Sequence, residues 1–217
     1  MKIFFSLIFS ALLLFACKEK TYYVEVSTEF GNMVIKLHNE TPLHRDNFLV
    51  LTKAGYFDDL LFHRVIDGFV IQGGDPDSKN AMANVLLGEG GPNYTVQAEF
   101  DDSLYHQKGA VGAARDDNPQ KASSASQFYI VQGKTYKKEA LHEAKRDENP
   151  TYSPQQIKVY KTRGGTPFLD NRYTVFGQLV EGVEVLDEIA ALNTDSNDRP
   201  VVDIPMKIRL IKWVPEK

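Results

Sequence analysis

The chain has 217 residues, of which 42% are hydrophobic and 25% are charged, and its formal net charge is −4. This length and composition suffice for one well-buried core, and the acidic balance argues against nucleic acid or an anionic membrane surface as the main partner. Cys17 is the only cysteine, which excludes a disulfide within the chain and any cysteine-based metal site.

The first sixteen residues read as an export signal rather than as part of the fold. Lys2 gives a positive start, and the apolar stretch that follows is too short for a stable membrane span. Ala16 precedes Cys17, and this arrangement is similar to a bacterial lipoprotein signal, after which the cysteine is acylated. We expect a signal peptide at 1–16, a lipidated Cys17 with a short tether at 17–21, and a membrane-anchored protein facing the periplasm or the cell surface. An ordinary signal peptide with an incidental cysteine is the alternative.

Within the mature chain, 17–217, residues 22–217 read as a single domain that begins with a hairpin. Residues 22–27 and 33–38 alternate in polarity on either side of a turn, which is typical of paired strands. Thr41 is followed by a proline, the pattern of a capping residue and a first-turn proline, and it predicts a helix over 42–54.

A second hairpin, 62–75, carries a cation on one arm and an amide on the other, Arg64 and Gln72. Its turn at Asp67-Gly68 allows two registers. A two-residue loop would place Arg64 and Gln72 on opposite faces, whereas a three-residue loop pairs them on one face. We predict the three-residue loop. From the hairpin alone, an arginine bound to a carboxylate at a sheet edge is the alternative interpretation.

The remainder of the chain alternates short strand patterns with loops. Many short strands with two helices fit a closed antiparallel barrel better than a parallel α/β sheet, although the pattern alone leaves a sandwich open. The predicted features are a long loop over 76–95, a small apolar segment over 109–114, strands over 127–132, 173–180 and 207–214, and a helix over 183–190.

The segment Phe62–Asp75, FHRVIDGFVIQGGD, resembles the signature of the cyclophilins, which are peptidyl-prolyl cis-trans isomerases. The resemblance covers most of residues 22–214, apart from one inserted segment. It implies a mostly β fold: a closed eight-stranded antiparallel β-barrel capped by two α-helices, with a helical insertion. It also implies that Arg64 and Gln72 are catalytic and that the substrate is an X-Pro peptide bond.

Four further stretches carry the resemblance, within residues 90–100, 109–115, 126–130 and 168–173. Tyr129 stands where phenylalanine is usual in the family, and its added hydroxyl needs water or a partner. Other departures from frequent family residues occur at Val70, Ala113, Phe168 and Tyr173, and they bear on substrate preference rather than on the class of reaction. The resemblance and the apolar character of the pocket predict ten substrate-binding residues: Phe69, Val70, Ala114, Arg115, Asp116, Gln127, Tyr129, Phe168, Leu169 and Tyr173.

Rotation about a peptide bond makes and breaks no covalent bond, so no nucleophile and no cofactor are expected. The five histidines show no metal-ligand spacing, so no metal is expected either. We interpret His63, on the opposite face of its strand from Arg64, as a hydrogen-bonded structural residue. Ser123 has no candidate base nearby in the sequence, which argues against a serine hydrolase.

Residues 134–165 interrupt the resemblance. Alternating charges at helical spacing predict a helix over 137–146, and Ser153 with Gln156 forms a capping-box pattern that starts a second helix. Glycines at 164 and 165 end it. The insertion is either a solvated helical hairpin or a docking arm for a partner or substrate beside the groove.

Two functions follow from these observations. The first is a membrane-tethered monomeric isomerase that acts on proline-containing segments of unfolded or exported proteins. The second is a cyclophilin-like module that binds such segments, or a partner, with little turnover. Intact Arg64 and Gln72 favour the enzyme.

Overall fold

The computed structural model describes residues 20–144 and 152–214. The predicted signal peptide and Cys17 lie outside the described residues. The described residues form ten strands: β1 Tyr22–Thr28, β2 Gly31–Leu37, β3 Leu60–Ile66, β4 Val70–Gly73, β5 Thr95–Val96, β6 Ala110–Ala113, β7 Ser123–Ser124, β8 Phe128–Val131, β9 Val175–Glu181 and β10 Pro205–Ile211. The α-helices in this part of the chain are α1 Pro42–Lys53, α2 Lys138–Ala144, α3 Pro154–Thr162 and α4 Val183–Ala190.

Eight of these strands form a closed barrel in the order β1, β10, β3, β4, β8, β6, β9, β2, and every neighbouring pair is antiparallel. The two remaining strands, β5 and β7, pair with each other outside the barrel. The mostly β barrel fold predicted from the resemblance is therefore confirmed.

Alternation along the strands sorts side chains between the inside and the outside of the barrel. Val65, Ile71, Ile130 and Val111 are successive cross-strand partners on β3, β4, β8 and β6, and all four lie in the main hydrophobic core. Helix α1 adds Phe48, Leu49 and Leu51 to this core, and α4 adds Val185, Leu186 and Ile189. Burial of these side chains holds both helices against the barrel.

The start of α1 differs from the prediction. Thr41 makes no side-chain capping bond, and its hydroxyl is buried without a partner among the described residues. The free N–H groups of Leu43 and His44 instead donate to the two carboxylate oxygens of Glu99, both at 3.0 Å. A carboxylate at a helix N-terminus satisfies these donors and also interacts favourably with the helix dipole.

The insertion contains the two predicted helices and a small core of its own. The capping box of α3 is confirmed, since Ser153 accepts from the backbone of Gln156 and the Gln156 side chain accepts from the backbone of Ser153. Tyr160 is fully buried and packs with Leu141 and Tyr152. The insertion is therefore packed onto the domain by its aromatic residues rather than solvated on all sides.

Several strand boundaries differ from the prediction by one to three residues. The last strand ends at Ile211, so Trp213 lies beyond it, where its ring packs on Tyr23 with 4.8 Å between centroids. Strands β8 and β9 each begin one or two residues after the predicted start. Within the described residues, no helix is both long enough and apolar enough to cross a membrane.

Candidate active site

The hairpin of β3 and β4 has the predicted register. Ile66 pairs with Val70 and Arg64 with Gln72, across a three-residue loop. Gly68 in this loop has φ of 71°, in the left-handed region that glycine adopts without strain. The cation and the amide therefore stand on one surface of the sheet, as predicted.

This surface continues over four strands on the outside of the barrel. Gln72 pairs with Tyr129 on β8, and Tyr129 pairs with Gly112 on β6. A Cβ atom at Gly112 would lie only 2.3 Å from Cζ of Tyr129, so the missing side chain is what gives the aromatic ring its place. The row Arg64, Gln72, Tyr129, Gly112 forms the floor of the site.

A cavity of about 180 Å³ opens on this floor. Apolar side chains from the hairpin loop, β8 and the segment before β9 surround it, and polar groups stand on its rim. Nine of the predicted site residues line it: Arg64, Phe69, Val70, Gln72, Ala114, Arg115, Tyr129, Leu169 and Tyr173.

Arg64 reaches the cavity with 38% of its side chain exposed. Its Nε lies 3.4 Å from Oδ2 of Asp198, in the loop before β10, and Asp198 itself is 43% exposed. Among the described residues, the guanidinium makes no hydrogen bond. An exposed ion pair of this length holds an arginine loosely, so the guanidinium remains available to a ligand.

Gln72 is held by a relay of side-chain amides. Its Nε2 donates to Oε1 of Gln127 at 3.1 Å, and Nε2 of Gln127 donates to the carbonyls of Gly88 and Gly90, both at 2.8 Å. Within the described part of the chain, no hydrogen bond joins Gln72 to Arg64. Gln72 is therefore oriented through its Nε2 by Gln127 and the loop that contains Gly88 and Gly90. The side-chain oxygen of Gln72 is not needed for that orientation.

A second cavity of about 290 Å³ adjoins the first through Gln72, Ala114 and Arg115. Asp116 and Gln127 line this second cavity. It is more polar than the first, and loop residues 88–95, for which the sequence predicts no role, form much of its wall. Together the two cavities form a continuous groove.

Two aromatic residues complete the rim. Phe168 lines neither cavity but stacks on Phe69, with 5.7 Å between ring centroids. Tyr173 meets Tyr129 edge to face and carries the Arg115 guanidinium 4.9 Å above its ring. Arg115 also donates to the carbonyl of Arg172, so its head group is fixed rather than free.

The hydroxyl of Tyr129 finds its partner behind the cavity. It lies 2.8 Å from Nε2 of His106, whose Nδ1 is 2.8 Å from Oδ1 of Asp170, and the other oxygen of Asp170 accepts from the hydroxyl of Tyr160 at 2.5 Å. We call these four residues the Asp170 chain. Burial raises the pKa of Tyr129 well above its ordinary value. Sequence reasoning recognised that the hydroxyl needed a partner but did not identify His106.

A similar arrangement occurs at the start of α1. Glu99 Oε2 lies 2.7 Å from Nδ1 of His44, and Nε2 of His44 lies 3.0 Å from the hydroxyl of Ser123. We call these three residues the Glu99 chain. The fold thus gives Ser123 the base that the sequence did not suggest. Ser123 is nevertheless fully buried, so no substrate carbonyl can reach its hydroxyl.

His63 differs from the prediction. It is buried, but neither ring nitrogen has a hydrogen-bond partner among the described residues. Burial lowers its pKa from 6.5 to about 4, an effect that the nearby Asp75 carboxylate opposes. Within residues 20–144 and 152–214, no group of three acidic, histidine or cysteine side chains could hold a metal ion.

Comparison with known sequences points to one family. The family model for cyclophilin type peptidyl-prolyl cis-trans isomerase/CLD matches residues 23–210. A protein of Streptococcus pyogenes, assigned as a bifunctional phosphatase/peptidyl-prolyl cis-trans isomerase, is 39% identical over 186 residues, which are 83% of this chain and 37% of that longer protein. A protein of Staphylococcus epidermidis, assigned as a peptidyl-prolyl cis-trans isomerase, is 34% identical over 182 residues, which cover 83% of this chain and 87% of the relative.

Comparison with solved structures gives the same architecture. The crystal structure of a cyclophilin type peptidyl-prolyl cis-trans isomerase from Cryptosporidium parvum matches with a TM-score of 0.68 and 24% identity, over 90% of this chain and 100% of that chain. The same protein crystallised in the presence of the dipeptide Ala-Pro matches with a TM-score of 0.66, over 88% and 99% of the two chains.

Proposed function

The chain belongs to the cyclophilin-type peptidyl-prolyl cis-trans isomerases, and on that premise we propose that Arg64 is its catalytic hydrogen-bond donor and that the smaller cavity binds the proline ring. The observation that carries this proposal is the position of Arg64. Its guanidinium stands at the rim of an apolar cavity and makes no hydrogen bond to another described residue.

The reaction requires a site that binds the twisted amide better than either planar form. Rotation about the peptide bond has a barrier of roughly 18–20 kcal/mol because conjugation of the nitrogen lone pair is lost. In the twisted state this lone pair becomes available, and a guanidinium N–H of Arg64 can donate to it. A fixed donor aimed at electron density that appears only in the transition state is worth about 3 kcal/mol.

The walls of the smaller cavity suit a proline ring. Phe69, Val70, Tyr129 and Leu169 offer apolar surface, and Gln72 carries a carbonyl and an amide toward the adjoining cavity. The Cryptosporidium parvum protein was crystallised in the presence of the dipeptide Ala-Pro, an X-Pro sequence of the kind that such a groove would take. The larger cavity then receives a neighbouring residue of the peptide, beside Asp116 and Gln127.

The test is catalysis of cis-trans exchange in a short Ala-Pro peptide, followed by NMR. Arg64→Ala is expected to lower kcat/KM by about 100-fold to 1,000-fold, the loss typical of one transition-state donor. Arg64→Lys keeps the charge without the planar fork and should recover only part of this loss. Arg209→Ala is the matched control, because Arg209 is an exposed arginine on β10 that forms an ion pair with Asp58.

Three outcomes separate the two functions. Loss of activity in Arg64→Ala with normal activity in Arg209→Ala supports the proposal. Equal activity in Arg64→Ala and the wild type would overturn the role of Arg64. A folded wild-type protein that binds the peptide without accelerating exchange would instead be a peptide-binding module.

We propose further that the protein is exported and tethered to a bacterial membrane through acylated Cys17, where it assists folding of exported proteins as a monomer. The sequence supports this through Lys2, the apolar stretch after it, and Ala16 before a lone cysteine. Several acyl chains on one residue anchor a protein stably, whereas a single chain does not. In a bacterial host fed labelled palmitate, the wild type should carry label and sediment with membranes. Cys17→Ser should do neither, and its sedimentation with membranes would refute the anchor.

A further inference from the structure

We propose that helix α3 of the insertion positions the wall of the proline-binding cavity through the Asp170 chain, so that Tyr160 and His106 are positioning residues for peptide binding. The inference rests on the proposed function of the smaller cavity. It concerns residues that never touch the peptide and a segment, 134–165, that interrupts the family resemblance.

The Asp170 chain begins with Tyr160, in the interior of the insertion. Tyr160 lies on α3 and is fully buried. Its ring packs edge to face with the rings of Tyr105 and Tyr152, with centroid distances of 5.6 and 5.5 Å. Its hydroxyl donates to Oδ2 of Asp170. Burial raises the pKa of Tyr160 far above its ordinary value, so this hydroxyl remains a donor. The bond links the insertion to the carboxylate of Asp170, in the segment that leads into β9.

Asp170 in turn fixes His106 through two hydrogen bonds. Oδ1 accepts from the backbone N–H of His106 and from its ring Nδ1, both at 2.8 Å. Because an ionised carboxylate can only accept hydrogen bonds, Nδ1 of His106 carries the proton in its bond to Oδ1. Nε2 of a neutral ring is then an acceptor, since the hydrogen bond at one nitrogen fixes the role of the other.

Tyr129 is the last member and the only one in the cavity wall. Its hydroxyl donates to Nε2 of His106, and the two rings lie nearly parallel with 5.9 Å between centroids. Tyr129 is 4% exposed, so its hydroxyl cannot exchange this partner for bulk water. The chain therefore keeps the hydroxyl at the back and presents only the aromatic ring to the peptide.

Backbone bonds hold the end of the insertion against the same segment. Gly165 exchanges backbone hydrogen bonds with Lys134, the N–H of Lys108 donates to Gly164, and the N–H of Thr166 donates to the carbonyl of His106 at 2.8 Å. His106 is thus held through its main chain by Thr166 and Asp170 and through its ring by Asp170, and both residues belong to the segment that directly follows the insertion. A change in α3 can be transmitted to the cavity without any contact between α3 and the peptide.

The physical consequence of breaking the chain follows from the cost of an unpaired buried group. Without Tyr160 as a donor, Asp170 keeps its two bonds to His106 but loses the bond that ties it to α3, so the His106 ring is oriented less strictly. The Tyr129 hydroxyl then has a less well placed acceptor, and the Tyr129 ring, which lines the cavity, loses part of its fixed position. Proline binding should weaken while the donor Arg64 stays in place, so the effect should appear in KM more than in kcat.

The experiment is a double-mutant cycle on the full chain, with Tyr160→Phe and Tyr129→Phe. Tyr160→Phe alone should lower kcat/KM by about 5-fold to 10-fold, mostly through KM, the loss expected from one buried hydrogen bond. In the Tyr129→Phe background the same substitution should have no further effect, because the hydroxyl that needed placing is gone. His106→Gln provides a second variant with the same expected dependence on Tyr129.

Tyr152→Phe is the matched control. It removes one buried tyrosine hydroxyl from the same aromatic cluster, where that hydroxyl donates to the carbonyl of Pro167 at 2.9 Å rather than to Asp170. Urea unfolding should show a comparable loss of stability for Tyr152→Phe and Tyr160→Phe, with kcat/KM reduced only in the second. Equal losses of kcat/KM in both Tyr129 backgrounds, or none in either, would overturn the proposal.

Affinity for the Ala-Pro peptide, measured by NMR titration, separates this inference from the proposed function. If Arg64→Ala proves as active as the wild type but Tyr160→Phe still weakens peptide binding, the role assigned to Arg64 fails and the positioning by α3 stands. If Arg64→Ala is inactive and Tyr160→Phe binds the peptide like the wild type, the reverse holds.

Discussion

The Glu99 chain and the Asp170 chain join the same three chemical groups in the same order, a carboxylate, an imidazole and a hydroxyl. In the first, the imidazole bonds are 2.7 and 3.0 Å long, and in the second both are 2.8 Å. The two differ in where the hydroxyl leads. Ser123 is sealed in the protein, whereas Tyr129 forms part of the proposed proline-binding cavity.

The comparison teaches that such a constellation is not in itself a catalytic one. The Glu99 chain has the partners of a serine hydrolase, but its serine has no access to solvent, and its carboxylate caps helix α1. It fixes the start of α1 to the loop that carries Glu99 and to β7. The Asp170 chain uses the same bonds to hold a wall of the proposed proline-binding cavity. Access at the hydroxyl end, rather than the bonding pattern, distinguishes a structural network from a functional one.

The largest expected effect is the removal of the carboxylate from the Asp170 chain. Asp170→Ala leaves a backbone N–H, an imidazole N–H and a tyrosine hydroxyl without their acceptor in a buried site. We expect a loss of about 3–5 kcal/mol in the free energy of unfolding, measured by urea denaturation. A loss below about 1 kcal/mol would mean that the buried donors find other partners.

The second prediction concerns His63, a buried imidazole that makes no hydrogen bond to a carboxylate or a hydroxyl of the described residues. Its folded pKa of about 4 lies below the ordinary 6.5, so the unfolded chain takes up the proton first as the pH falls. Its contribution to stability is complete above pH 6.5 and declines toward pH 4. Between pH 7.5 and 5 it should account for a loss of about 2 kcal/mol, which His63→Phe should abolish.

The check on His63 is the slope of unfolding free energy against pH in the wild type and the variant. Burial also lowers the pKa of His38 and His44, so the variant should retain a reduced slope of the same sign. Identical slopes in the two proteins would show that His63 finds a partner that compensates for its burial.

A smaller effect is expected from the Glu99 chain. Glu99→Ala removes the acceptor of two helix N–H groups and of His44, but Glu99 is partly exposed, so water can replace some of these bonds. The expected loss is about 1–2 kcal/mol in unfolding free energy, with kcat/KM within about threefold of the wild type. A large loss of activity in the folded variant would show that the two chains are coupled.

The smallest expected effect is that of alkaline pH on catalysis. An arginine guanidinium keeps its charge at all accessible pH values, and burial holds the Tyr129 hydroxyl in its neutral form. We therefore expect kcat/KM to change by less than about twofold between pH 7 and 9. A sigmoidal loss of activity in this range would reveal a titrating group in the site.

Local patterns in the sequence predicted seven of the eight barrel strands, the four helices and the register of the hairpin that carries Arg64, but they did not identify β5, β6 or β7 as strands. The turn at Asp67-Gly68, with Arg64 and Gln72 on alternate positions, defines which side chains share a face, because strand periodicity is a local property. The same logic predicted the capping box of α3, whose two partners are three residues apart.

The networks could not be predicted because closure of the barrel brings their members together. His106 is 64 residues from Asp170 and 23 from Tyr129, and Glu99 is 55 from His44. Periodicity assigns a face to each residue but no partner across such distances. For this reason the capping role predicted for Thr41 was wrong, since a distant carboxylate supplies the acceptor, and the unpartnered state of His63 was not foreseen.

The order of the strands has a consequence for how a tethered enzyme would meet its clients. The predicted lipid attachment at Cys17 lies shortly before β1, and around the ring of eight strands β1 lies diametrically opposite β8. The groove is built on β8 and its neighbours β4 and β6. An anchored molecule would therefore hold its tethered side toward the lipid and turn its groove outward, so that an emerging polypeptide could enter without first approaching the bilayer.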